Sequence, residues 1–179
     1  TQTAELMAYL EAQRHSGAKI GFVPTMGALH DGHISLVKEA KRSNSLVIVS
    51  IFVNPTQFNN PEDLKNYPKT PESDLAMLEA AGVDLLFLPE VREIYTHGLN
   101  EGKSVDLGDL ERVMEGAHRP GHFKGVVQVV ARLFDIVQPD QAYFGEKDFQ
   151  QLAVIRKMTH DLNYKIKIIG CETKREETV

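Results

Sequence analysis

Cysteine is nearly absent: Cys171 is the only one in 179 residues. No internal disulfide can form, which fits a reducing compartment. Positive charge is also short. Twenty Lys and Arg stand against 25 Asp and Glu, a net charge of −5. A general nucleic-acid binder needs a basic face, so no nucleic-acid partner is expected, although a local basic pocket stays open. Long hydrophobic runs are missing: the longest, Leu46 to Val53, is far too short to span a bilayer. The first residues lack the basic-then-apolar pattern of a secretory signal. The expectation is a soluble cytoplasmic protein with no membrane partner. Internal repeats, low-complexity tracts and clear linkers are absent too. What is present is an ordinary globular balance, 42% hydrophobic and 25% charged. That is enough for a single domain over 1–179 with a sizeable core.

The hydrophobic periodicity predicts strands alternating with helices. A first helix over 4–14 places Leu6, Met7 and Leu10 on one face, and Gly17 ends it. A strand at about 19–23 leads through a histidine-bearing turn into a helix that runs to about Arg42. Leu46 to Val53 is apolar on both faces and rich in β-branched residues, as a buried parallel strand should be, and Asn54-Pro55 stops it. Residues 55–69 read as polar and irregular. Thr70 can cap a helix with Pro71 at its first position and Gly82 at its end. Val83 to Pro89 is a third strand, and 90–124 is the least regular part. A helix over 125–137 presents Val126, Val129, Val130, Leu133 and Val137. Ala142–Phe144 is a strand, Asp148–Leu162 a helix and Lys165–Gly170 a fifth strand. The order implies one α/β domain with a five-stranded parallel sheet flanked by helices.

The most informative stretch is Pro24-Thr25-Met26-Gly27-Ala28-Leu29-His30-Asp31-Gly32-His33, set between a strand and a helix. There a parallel sheet offers backbone N–H groups and a positive helix end to a phosphate. His30 and His33 stand three apart, so both rings can reach one ligand. An imidazole near neutral pH can also become cationic as phosphate charge grows. Gly27 and Gly32 allow close backbone approach. The bland alternative is a pair of surface histidines, or half a metal site.

Three further stretches carry candidates. Gly145-Glu146-Lys147-Asp148-Phe149-Gln150-Gln151 again follows a strand and opens a helix. In it Lys147 offers a compact charge for phosphate, Asp148 can cap the helix, and Gln151 shares a face with Asp148. Two such loops on one edge of a parallel sheet define a ligand crevice. Asn54 and Gln57, in Ser50-Ile51-Phe52-Val53-Asn54-Pro55-Thr56-Gln57-Phe58, are neutral amides able to orient a polar substrate. In Gly116 to Lys124, Arg119 could clamp a carboxylate or phosphate, and His118 and His122 could bind a metal, although no pattern completes a zinc site.

Together these four segments, in this order and spacing, resemble the pantothenate synthetases, the pantoate–β-alanine ligases of the nucleotidylyltransferase superfamily. The resemblance runs through essentially the whole chain and covers the family's N-terminal, Rossmann-like domain. It implies a two-step ligation: ATP and pantoate give pantoyl adenylate and pyrophosphate, then the amine of β-alanine displaces AMP. By the match, Met26, Gly27, Ala28, Leu29, His30, Asp31, Gly32 and His33 line the ATP site. His30 and His33 fall on the phosphates, and His33 carries the family's proton-donor role. Gly145, Glu146, Lys147 and Asp148 also hold ATP, with Lys147 on phosphate and Asp148 on ribose. The backbone at Lys174 meets adenine. Gln57 and Gln151 hold pantoate, Gln57 lies near β-alanine, Asn54 shapes that pocket, and Arg119 is a weaker carry-over. Mg2+ bridges the nucleotide phosphates, with Asp74 a guess for a nearby carboxylate. The family's members are dimers paired through this domain, so a homodimer is expected. The whole expectation rests on His30, His33 and Lys147 converging on one phosphate chain.

The chain departs from the family after Arg175. Glu176-Glu177 begins the approach to a serine- and arginine-bearing segment and Val179 is the last residue. The expectation is a fragment of a longer protein that turns over poorly, since losing one such donor costs roughly 3 kcal/mol, about a hundredfold in rate. The rival readings are another nucleotidylyltransferase and a ligand-binding fragment without catalysis.

Overall fold

The computed structural model describes residues 2–58, 60–99, 102–112, 118–119 and 121–172. Five strands form one sheet: β1 (Ile20–Thr25), β2 (Leu46–Ile51), β3 (Leu85–Phe87), β4 (Gln141–Gly145) and β5 (Lys167–Cys171). Every pairing is parallel, in the order β3-β2-β1-β4-β5. Among the described residues the α-helices are α1 (Gln2–His15), α2 (Asp31–Ser43), α3 (Pro61–Lys65), α4 (Pro71–Ala81), α5 (Val91–Ile94), α6 (His122–Val137) and α7 (Phe149–Asp161).

Alternation along the strands builds a core on each side of the sheet. Ile20 and Phe22 of β1 and Leu46 and Ile48 of β2 face one core, shared with Leu10 of α1 and residues of α6 and α7. Val23, Val47 and Val49 face the other, closed by Leu36, Val37 and Ala40 of α2 and Leu78 of α4. Gly21 has a packing reason: a Cβ there would stand 2.6 Å from Nδ2 of Asn44.

The α/β reading holds, with local corrections. Met7 is exposed, and Thr3 is buried instead, donating its N–H and hydroxyl to Glu93. Residues 61–65 and 91–94, expected irregular, form short helices. The first starts on Pro61 with the Asn60 side chain accepting from the Glu62 N–H, a cap signal present in the sequence. The third strand keeps only Leu85–Phe87. Helix α6 starts earlier, at His122, and is buried nearly all round, including Val127, Ala131, Phe134 and Ile136 beyond the expected stripe. Neither Thr70 nor Asp148 makes a side-chain cap bond.

The register between β1 and β4 positions the site. β1 pairs with β2 over six positions, from Ile20 with Leu46 to Thr25 with Ile51. With β4 it pairs only at Gly21–Gln141 and Phe22–Ala142. The ladder therefore stops at the centre of the sheet, where the strand order reverses. A crevice at the carboxyl ends of the strands opens at such a point in doubly wound sheets.

Candidate functional site

The crevice lies between the ends of β1 and β4. Its inner chamber, a cavity of about 400 Å³, is bounded by Pro24–Ala28, His30 and His33 on one side and Tyr143–Gly145, Asp148 and Gln151 on the other. Val126, Val129, Val130 and Leu133 of α6 and Phe52 supply an apolar wall. An outer chamber of about 490 Å³ carries Arg119, His122 and Lys147. The chambers share Met26, Gln57, Tyr67, Asp148 and Gln151. Both lie in the size range of small-molecule sites. The imidazoles line the inner chamber and Lys147 the outer, and the two chambers adjoin at the shared residues.

The turn after β1 is built by hydrogen bonds rather than by packing. Gly27 has φ +85° and Ala28 φ +51°, backbone that favours glycine at the first position and strains the second. Thr25 Oγ1 accepts from the Gly27 N–H at 3.2 Å and donates to the Ser50 carbonyl at 2.9 Å. Buried Asp74 accepts from the N–H groups of Ala28 (3.1 Å) and Leu29 (2.8 Å) and from the Thr70 hydroxyl (3.0 Å). That gives Asp74 a structural task. It does not line the crevice, and among the described residues no group of three His, Cys, Asp or Glu could hold a metal.

The two histidines cap α2 reciprocally. His30 Nδ1 accepts from the Gly32 N–H at 3.0 Å, and His33 Nδ1 accepts from the His30 N–H at 3.1 Å. Each Nδ1 therefore presents a lone pair, and the neutral ring carries its proton on Nε2. The rings lie 4.2 Å apart. Burial, reinforced by His30 and opposed by Asp74, lowers the His33 pKa from 6.5 to about 4. In the free protein His33 is a neutral Nε2–H donor near pH 7, not the ready cation the sequence allowed.

The turn after β2 carries the amides. Pro55–Gln57 is one 3-10 turn capped by Asn54. Buried Asn54 donates from Nδ2 to the Gly125 carbonyl at 3.0 Å and accepts at Oδ1 from Thr56 and from the Tyr95 hydroxyl. Burial keeps the Tyr95 phenol protonated by raising its pKa, as the donor role requires. A Cβ on Gly125 would stand 2.8 Å from the Thr56 carbonyl, so glycine lets α6 meet the turn. Asn54 lines neither chamber and holds the turn that carries Gln57. Gln57, buried, lines both, and its carbonyl lies 3.2 Å from His122 Nδ1.

The remaining expected residues divide. Met26, Gly27, Ala28, Gly145 and Gln151 line the inner chamber. The Leu29 side chain belongs to the core, Gly32 is buried in α2, and Asp31 and Glu146 are exposed and line neither chamber. Lys174 lies outside the described residues. His118 is exposed and separate from both chambers, so it and His122 form no metal pair there. Sequence reasoning missed Tyr67, Phe52 and the crevice-facing valines of α6. The valine stripe was legible, but a stripe does not say which of its members face a cavity.

The family model "Pantoate-beta-alanine ligase" matches residues 1–179. The chain belongs to the pantoate–β-alanine ligase family. It is 51% identical over 178 residues to "Pantothenate synthetase" of Cytophaga hutchinsonii, covering 99% of this chain and 62% of that protein. With "Pantoate--beta-alanine ligase" of Schizosaccharomyces pombe it shares 57% identity over 156 residues, 87% of this chain and 55% of the other. A crystal structure of pantothenate synthetase from Thermus thermophilus superposes with TM-score 0.89 at 52% identity, over 98% of this chain and 61% of that one. The Francisella tularensis ligase, solved with "Beta-gamma ATP and Beta-alanine", gives TM-score 0.88 at 46% identity, over 96% and 66%. The chain spans about three-fifths of the length of the curated relatives it matches. Within the family's fold the crevice falls where the sheet order reverses. Among the described residues no helix is long and apolar enough to cross a membrane.

Proposed function

We propose that this chain provides the ATP- and pantoate-binding part of a pantoate–β-alanine ligase. A pantoate carboxylate oxygen attacks the α-phosphorus of ATP, and pyrophosphate leaves. The β-alanine amine then attacks the acyl carbon of pantoyl adenylate, forming the amide, and AMP leaves with the acyl–oxygen electron pair. Activation is needed because a carboxylate is a poor acyl donor.

The observation that carries this reading is the pair of histidines at the break in the sheet, each with Nδ1 occupied and Nε2 left as donor. Two neutral donors can stabilise negative charge that develops on a phosphoryl group, without a buried cation in the resting site. Met26–Ala28 and Gly145 bring backbone to the nucleotide, Lys147 meets phosphate from the outer chamber, and Asp148 meets ribose. The amides of Gln57 and Gln151 suit the hydroxyls and carboxylate of pantoate, with Gln57 near β-alanine. Arg119 adds charge at the mouth.

Mg2+ fits as an ion that enters with ATP. Asp148 is the only carboxylate lining either chamber among the described residues, and magnesium is usually held by one or two carboxylates plus substrate phosphates. When bound it would neutralise phosphate charge. The reading extends to a homodimer at work in the cytoplasm.

AMP release that requires pantoate, ATP and β-alanine together tests the proposal. Nucleotide transfer onto another acceptor without β-alanine would instead favour a different nucleotidylyltransferase. His33→Ala is expected to lower adenylate formation, measured as pyrophosphate release, by roughly a hundredfold or more, while loss of its half of the cap costs about 0.5–2 kcal/mol of stability. Unfolding with unchanged affinity per folded molecule would make His33 a structural residue only.

A further inference from the structure

Three contacts from different parts of the chain converge on one three-residue turn. Asn54 caps it, Gly125 lets α6 close on it, and Tyr95 reaches it from the residue after α5. The Tyr95 hydroxyl donates to Asn54 Oδ1 and lies 3.2 Å from Thr56 Oγ1. Tyr95 is buried and lines neither chamber of the crevice. Pro55 and Thr56 line neither chamber, whereas Gln57 lines both. The clamp therefore has one polar side chain to deliver to a ligand. The anchor is itself fixed: Arg132 Nη2 donates to the Glu93 carbonyl, tying α5 to α6, and the Tyr95 N–H donates to the Val91 carbonyl at the end of α5.

We infer that Tyr95 is a positioning residue for substrate recognition: its hydroxyl holds the 55–57 turn so that the Gln57 amide meets pantoate in the crevice. This rests on the proposed role of Gln57. Tyr95 touches no substrate and acts through Asn54 and Thr56. Removing its hydroxyl leaves Asn54 Oδ1 with only the Thr56 donors, and the turn gains freedom that pantoate binding must then remove.

The test is a double-mutant cycle in this chain, read by calorimetry with pantoate and with ATP separately. Tyr95→Phe keeps the buried ring. It is expected to weaken pantoate about tenfold and leave ATP within about twofold, as loss of one positioning hydrogen bond does. Gln57→Ala should weaken pantoate as well, and the double variant should be no weaker than Gln57→Ala alone. Multiplying effects in the double variant, or a Tyr95→Phe that lowers the melting temperature with pantoate affinity unchanged, would overturn the inference and leave the Gln57 role standing. A Gln57→Ala with wild-type pantoate affinity would overturn both. Should Tyr95→Phe not fold, Thr56→Val removes the partner hydroxyl, and the same selective loss is expected.

Discussion

His33 is neutral because its surroundings penalise a cation: the ring is desolvated and stands against a second imidazole. Nε2 already carries the ring proton, so the proton that binds near pH 4 must displace the His30 N–H from Nδ1. NMR titration is expected to show the His33 resonances flat from pH 8 to 5, with a midpoint at about 4. A midpoint near 6.5 would mean that the crevice is wetter than described. The sign for stability follows. The folded state binds this proton less readily than the unfolded chain, so the contribution is complete above pH 6.5 and fades as pH falls towards 4. Replacing His33 with Gln should remove that part of the acid sensitivity, measured as the change in denaturation midpoint between pH 7 and pH 4.5. The identities of His30 and His33 were legible in the sequence as a pair on one helical turn. Their reciprocal capping was not, because it depends on which ring nitrogen faces the backbone.

Turns, rather than strands or helices, set the geometry of this site. Asp74 belongs to α4, yet it fixes the turn after β1 by accepting two of its N–H groups. Asp74→Ala is expected to destabilise the protein by roughly 2–4 kcal/mol, since two donors lose a buried acceptor. Chemical denaturation would measure it, and a loss below about 0.5 kcal/mol would show that water replaces the carboxylate. Gly125→Ala forces a methyl to within 2.8 Å of the Thr56 carbonyl, so α6 or the turn must move. It should cost about 1–3 kcal/mol and weaken pantoate binding. Periodicity revealed the long elements because burial repeats along them. It was silent on Asp74 and Tyr95, which act 45 and 41 residues away from their partners. An aspartate inside an amphipathic helix looks like a solvated residue until the turn that needs it is placed beside it.

At the scale of the whole molecule the two cores separate stability from ligand affinity. Leu78 is buried in the core under α2 and α4, away from both chambers. Leu78→Ala should cost about 2–5 kcal/mol of stability and leave pantoate affinity unchanged. A parallel loss of affinity would mean that the α2–α4 side governs the crevice. The α/β class and the strand number were readable because strands and helices alternate in sequence. The strand order was not, and with it the place where the ladder ends. That ending has a thermodynamic consequence. Past Phe22 and Ala142 the central strands no longer pair with each other, so the halves of the sheet meet across a seam. On the proposed function a nucleotide seats there and bridges the seam. Its binding energy goes partly into joining the halves, and the β4 amides beyond Ala142 that face the seam should exchange with solvent more slowly once it is filled.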